Sequence, residues 1–313
     1  MSKHHPDDMP QMSKVCYTKP AAVNVCSDTE KFEKRQDTTM SGIAGDLPNI
    51  KAEDLRNLKA LTFDVFGTVV DWRTSVVEEL TSRAQARLSA SPGLPAEQRD
   101  KLAAADWGRF TQEWRDSYKH FTQSYDPGSA PWKDVDAHHH DSLVALLEAW
   151  GLDGVYREEE VRELSLAWHR LRPWGDSASG LRRLGEKFVT STLSNGNRAL
   201  LQDLDSFGGL GFKRLLSSED WKAYKPNPAV YDGAVKALLG EGGKAREVAM
   251  VAAHLGDLMA ARGRGMRTVY VERPGEEDWE KGGEAFEDAR GWVDVWIGDG
   301  EGGFEEAARR LGA

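Results

Sequence analysis

Cysteine is nearly absent from this chain: two residues in 313, Cys16 and Cys26, both within a polar N-terminal stretch. That distribution offers no disulfide framework and fits a reducing, intracellular compartment, so the expected location is the cytoplasm. Long apolar runs are missing too. None approaches the roughly 18–20 residues needed to span a bilayer, and no membrane partner is expected. Positive charge is the scarcer sign, with 41 Lys and Arg against 51 Asp and Glu and a formal net charge of -10. Nucleic-acid surfaces work by clustered cations that release counterions, so no nucleic-acid partner is expected and a small-molecule substrate is.

What is present is a globular composition, 40% hydrophobic and 29% charged, in a chain whose length favours two folded units plus trimmings. Residues 1–52 lack the apolar periodicity that could offset the entropy of ordering them, and they read as a disordered, dispensable tail. They carry Asp7, Asp8, Asp28, Glu30 and Glu33 and no continuous apolar stretch. Neither a secretory signal nor a transit peptide is visible.

Order begins at LKALTFDVFGTVV (58–70), a short apolar run broken by Gly67, which reads as a buried strand ending in a turn. From about 74 to 172 the pattern becomes helical. Trp107, Phe110, Trp114, Tyr118 and Phe121 recur at spacings of 3, 4, 4 and 3, and Val161, Leu164, Trp168 and Leu171 repeat the habit. Such a stripe reads as packing, with Arg115 at its edge as the exception. After Pro173, strand-like segments at 187–195, 214–218, 248–254, 267–272 and 293–297 alternate with helix-length ones near 197–206, 228–239 and 257–264. Right-handed crossovers then imply a doubly wound, Rossmann-like parallel α/β sheet covered on both faces. The first strand has no crossover partner before the helical block. The predicted organisation is therefore a tail (1–52), a core (53–73 and 173–313) and an inserted all-helical cap (74–172).

Ligands of such sheets sit beyond the carboxyl ends of the strands. Asp64, Thr68, Ser194, Asn195, Lys225, His254 and Asp257 fall there. An aspartate beside Gly67 could merely cap its turn, and each hydroxyl alone reads equally well as a satisfied turn. Convergence of four strand ends favours a site in which Lys225 holds two carboxylates while Thr68, Ser194 and Asn195 bind the polar end of a ligand. Two other segments receive no chemistry. HHH at 138–140 cannot converge on a metal, since adjacent helical residues diverge by about 100°, and it reads as a helix surface with His139 partly buried. The acidic, glycine-rich RPGEEDWEKGGEAFED (273–288) reads as a solvated loop or lid edge.

DVFGT (64–68), LSNG (193–196), KPNPAVY (225–231) and VAAHLGD (251–257), in this order, resemble the four motifs of the haloacid dehalogenase superfamily. Within it the sequence resembles the type II 2-haloacid dehalogenases, whose first motif also has an aromatic residue two positions after the nucleophile. The resemblance covers about 58–313. It implies that Asp64 is the nucleophile and Lys225 the charge-balancing lysine, and that Asp257 prepares the hydrolytic water. Thr68, Ser194, Asn195 and Phe66 would form the substrate-binding set. Arg115, in EWRDSY (113–118), is the candidate cap arginine, although the segment aligns equally well with Arg115 as a structural residue. Gly256 stands where a tryptophan is usual, which removes an aromatic partner of the halide. His254 reads as a hydrogen-bonding support rather than a proton carrier.

Chemistry favours the same branch. Superfamily phosphatases carry a second aspartate two residues after the nucleophile to protonate the leaving alkoxide, and here that position is Phe66. Halide departs without a proton. No second acid stands beside Asp257 to suit Mg²⁺, and imidazole serves a hard cation poorly. The expected reaction is metal-free and cofactor-free hydrolysis of a short 2-haloalkanoic acid through an aspartyl ester on Asp64. The expected partner is thus a small carboxylate, and a homodimer stays open. Two other readings stand beside this one: a Mg²⁺-dependent phosphatase or phosphonatase-like hydrolase on the same nucleophile, and a non-catalytic small-molecule-binding protein.

Overall fold

The computed structural model describes residues 52–90 and 93–313, with side chains from 55 onward. The expected tail lies outside them apart from Ala52, which opens a 3-10 turn ending at Asn57. The strands are β1 (Ala60–Phe63), β2 (Val70–Asp71), β3 (Arg172–Pro173), β4 (Val189–Ser194), β5 (Arg214–Ser217), β6 (Val248–Ala252), β7 (Arg267–Val271) and β8 (Val295–Ile297). Six of them form one sheet in the order β5-β4-β1-β6-β7-β8, and every pairing in it is parallel. All four residues of β1 are buried, as expected of the strand between β4 and β6. Successive residues face opposite sides: Leu61, Phe63, Val251 and Val269 join one apolar cluster, while Ala60, Met250, Ala252 and Tyr270 join the other.

Five helices separate β2 from β3: α1 (Trp72–Ala90), α2 (Ala96–Ala104), α3 (Trp107–Ser124), α4 (Val135–Ala149) and α5 (Glu158–Ser165). β2 and β3 pair antiparallel, Val70 with Pro173 and Asp71 with Arg172, so the helical segment leaves and rejoins the sheet at one point. Asp106 and Asp134 start α3 and α4 by accepting the backbone N–H of Arg109 and Ala137 at 2.9 and 2.8 Å. Trp107, Phe110, Trp114, Arg115 and Tyr118 make the buried face of α3, and the first three and Tyr118 share one cluster with Phe63 and Phe66. The insertion therefore has no core separate from the sheet face beneath it.

The remaining helices are α6 (Ser177–Lys187), α7 (Arg198–Gly208), α8 (Pro228–Leu239), α9 (Leu255–Gly263), α10 (Glu284–Trp292) and α11 (Gly303–Leu311). α6, α7 and α11 bury leucines, alanines and Phe304 on the face shared with the insertion; α8, α9 and α10 cover the other. Three of these, α6, α10 and α11, have no counterpart in the sequence reading. The strand read within 58–70 stops at Phe63, because the chain turns at once into a loop closed by Gly67 N–H to Val70 O (3.0 Å) and Val69 N–H to Val65 O (3.0 Å). Among the described residues no helix is long and apolar enough to cross a membrane.

Candidate active site

The loop after β1 presents Asp64 at the carboxyl end of the central strand, where 8% of the residue is exposed. Its backbone N–H still bonds Val251 O of β6 at 3.0 Å, which fixes the Cα while freeing the side chain. Thr68 Oγ1 donates to Asp64 Oδ2 at 2.8 Å and accepts the Ala253 N–H at 2.9 Å. Both capacities of this fully buried hydroxyl are used in orienting Asp64.

Lys225 Nζ donates to Asp64 Oδ1 at 3.0 Å and also to Asp257 Oδ2. Asn195 aims the lysine: its Oδ1 accepts the Lys225 backbone N–H at 2.7 Å and the Ser218 hydroxyl at 2.8 Å. Ser194, which ends β4, is fully buried and accepts the Gly196 N–H at 3.2 Å, shaping the turn after the strand. Asp257 lies in the first turn of α9, where its charge meets the positive end of the helix, and Tyr231 of α8 donates to its Oδ1 at 2.7 Å. Tyr231 lies within the KPNPAVY segment, but an aromatic in the first turn of a helix gives no sign in sequence of where its hydroxyl points.

His254 Nδ1 lies 3.2 Å from Asp64 Oδ2, and its Nε2 lies 3.5 Å from Glu276 Oε2. Glu276 corrects the reading of 273–288 as a solvated loop. It is buried, its Oε2 accepts Trp72 Nε1–H at 3.0 Å, and a Cβ placed on Gly67 would come within 1.9 Å of that oxygen. Gly67 also has φ +86°. Arg273 anchors this segment, donating to Thr68 O at 3.1 Å and pairing with Asp176 at 2.7 Å. Acidic composition hid the site, since only the fold brings residue 276 back against residue 67.

Arg115 is 5% exposed, and its guanidinium lies over three rings: 4.7 Å from the centre of Tyr118, 5.3 Å from Trp72 and 5.5 Å from Phe66. Its Nε is buried with no hydrogen-bond partner among the described residues. A buried cation among rings gains cation–π energy, yet an unmet donor invites an anion. The aromatic stripe thus supplies more than packing, because Tyr118 and, from outside the stripe, Trp72 surround the arginine. At Gly256, an added Cβ would meet nothing within 4 Å. The HHH run diverges: His138 stacks on Phe121, His140 meets Asp141, and His139 is fully rather than partly buried, stacked on Trp168 at 4.5 Å.

Electrostatics separates the two carboxylates. Burial pushes Asp64 up, but Lys225, then the bond and charge of His254, then Thr68 outweigh it and hold Asp64 well below the usual carboxylate range. Burial likewise raises Asp257, Lys225 opposes it, the Asp64 charge adds to it, and the outcome lies above the usual value. Burial would lower Lys225, yet Asp257 and Asp64 raise it, so it stays charged. Burial also works against a charged His254, but its bonds to Asp64 and Glu276 lift it to about 9.

This donor set does not fit a divalent metal. Mg²⁺ needs several oxygen ligands. Phe66 fills the place of a second acid, the Lys225 ammonium bridges Asp64 and Asp257, and no group of three His, Cys, Asp or Glu suited to an ion occurs among the described residues.

A family model described as haloacid dehalogenase-like hydrolase matches residues 58–265. An (S)-2-haloacid dehalogenase of Burkholderia cepacia is 27% identical over 225 residues, which cover 70% of this chain and 85% of the relative. A solved L-2-haloacid dehalogenase is 32% identical, with a TM-score of 0.65 over 81% of this chain and 99% of its own. A solved defluorinating L-2-haloacid dehalogenase is 30% identical, with a TM-score of 0.68 over 82% and 96%.

Proposed function

The chain belongs to the haloacid dehalogenase-like hydrolases, and on that premise we propose that it cleaves the carbon–halogen bond of short 2-haloalkanoic acids through an ester on Asp64, without metal. The observation that carries this reading is Arg115, buried among Phe66, Trp72 and Tyr118 with an unmet N–H. Phe66, at the position a proton-donating aspartate would occupy, serves instead as a wall for that cation. The helical insertion acts as a cap that brings the arginine over the strand ends. Arg115 then binds an anion, either the substrate carboxylate or the departing halide.

Asp64 stays ionised and can attack the halogen-bearing carbon from behind: a C–O bond forms, the C–X bond breaks, and halide leaves with the electron pair. Asp257, the more basic carboxylate, takes a proton from the water that attacks Asp64 Cγ. Lys225 neutralises whichever of the two is charged. Thr68 and Asn195 act through others, one fixing Asp64 and the other Lys225, and Ser194 shapes the turn that carries Asn195. The test is halide release from 2-chloropropionate and chloroacetate. Release unchanged by EDTA is expected; phosphate release that the chelator stops, with no halide, would transfer the assignment to a phosphatase.

A further inference from the structure

His254 and Glu276 stand outside the roles above, although one touches the nucleophile and the other is buried beside it. The two oxygens of Asp64 are not equivalent. Oδ2 accepts Thr68 Oγ1 at 2.8 Å and faces His254 Nδ1 at 3.2 Å, whereas Oδ1 accepts Lys225 alone among the described residues, at 3.0 Å. A carboxylate oxygen that already takes two donors has less lone-pair density to offer carbon than one that takes a single donor. The same two donors are well placed for charge that later develops on Oδ2.

We propose that His254 is a catalytic residue of ester hydrolysis, pairing with Thr68 as the oxyanion site at Asp64 Oδ2, with Glu276 as the positioning residue that fixes its imidazole. This rests on the haloacid reading. The alkylation step then uses Oδ1, and Oδ2 becomes the ester carbonyl oxygen. When water attacks Cγ, one proton passes to Asp257 and the carbonyl electron pair moves onto Oδ2, between Thr68 and His254. Collapse re-forms that carbonyl and breaks the Cγ–Oδ1 bond. The product oxygen takes up a proton beside Lys225, returning Asp257 to its anion, and the new Asp64 carboxyl sheds its own proton to solvent. No oxidant or further reactant is required.

Geometry supports a donor rather than an acceptor at Nδ1. Carboxylates flank both ring nitrogens, Asp64 at Nδ1 and Glu276 at Nε2, and a neutral ring could satisfy only one. Glu277 also faces the ring, while Lys225 and Arg115 stand behind Asp64 and Glu276. Glu276 is itself held by Trp72, and only a glycine at position 67 leaves it room.

The experiment is rapid-quench turnover of 2-chloropropionate by the full chain, reading chloride and the mass of the peptide bearing Asp64. His254→Ala is expected to slow ester hydrolysis about 10²-fold while alkylation falls far less, so that nearly one ester per chain builds up after a chloride burst. His254→Asn, which keeps a neutral donor, should recover part of the hydrolysis rate. Glu276→Gln should move the alkaline fall of hydrolysis from near pH 9 to lower pH. A merely structural pair would slow both half-reactions together and leave the pH profile in place. Chloride without ester build-up in folded His254→Ala overturns the proposal alone; no chloride from the wild-type chain overturns the haloacid reading and the proposal with it.

Discussion

At the scale of single residues, the site sorts like charges by their neighbours. Asp64 and Asp257 share one ammonium, yet Asp64 also takes bonds from Thr68 and His254, whereas Asp257 takes one from a tyrosine whose own proton burial holds tightly. In the proposed reaction, this difference suits Asp64 to be the nucleophile that stays ionised and Asp257 to be the base. His254 carries a stability signature that does not depend on substrate. Its ordinary value is 6.5 and its folded value about 9, a difference worth about 3 kcal/mol. Because the folded value is the higher, that stabilisation is complete below pH 6.5 and is lost as pH rises through about 9. The stability of wild type to denaturant should therefore fall as pH rises between these limits, and His254→Asn should flatten that slope. An unchanged slope in the variant would assign the alkaline loss to another group.

At the scale of elements, the turn between β1 and β2 is the tightest constraint. Gly67 has φ +86° and a Cβ there would collide with Glu276, so Gly67→Ala should cost more than about 2 kcal/mol and displace the partner of His254. Gly256, with open space around it inside α9, is the contrast: Gly256→Ala should be neutral or stabilising by up to about 1 kcal/mol. Thermal or denaturant unfolding of both variants checks the pair, and equal losses would refute the contrast. The same turn shows what sequence could and could not reveal. Apolar runs alternating with helix-length segments carry the parallel sheet, and strand-end polarity carries Asp64, Lys225 and Asp257, because both are local consequences of burial. Glu276, Trp72 and Tyr231 were illegible as site residues. An acid in a charged run, a tryptophan opening a helix and a tyrosine in a helical turn resemble surface or core until the fold brings them against Gly67, Arg115 and Asp257. The last helix was missed for a related reason: glycine at 302 and 303 reads as a loop, yet Phe304 N–H finds Asp176 and α11 packs on α6.

At the scale of the molecule, the sheet and its loops supply the two carboxylates, their lysine and Phe66, and the helical insertion supplies Arg115 with Trp72 and Tyr118. The two are joined by one apolar cluster and by contacts such as Tyr224 O–H to Lys133 O at 2.6 Å and Lys119 to Asp278 at 2.8 Å. In the proposed reaction, a substrate held between them has its halogen-bearing carbon toward Asp64 and either its carboxylate or its departing halide toward Arg115. The proposed reaction requires that carbon to be attacked by Asp64 itself and not by water. Single-turnover hydrolysis of 2-chloropropionate in ¹⁸O-labelled water tests it directly, with Asp64→Asn as the folded but inactive control. The label should appear first in the Asp64 carboxylate and be absent from the first lactate released, because water cleaves the ester at Cγ; label in that first lactate, with none in Asp64, would contradict it.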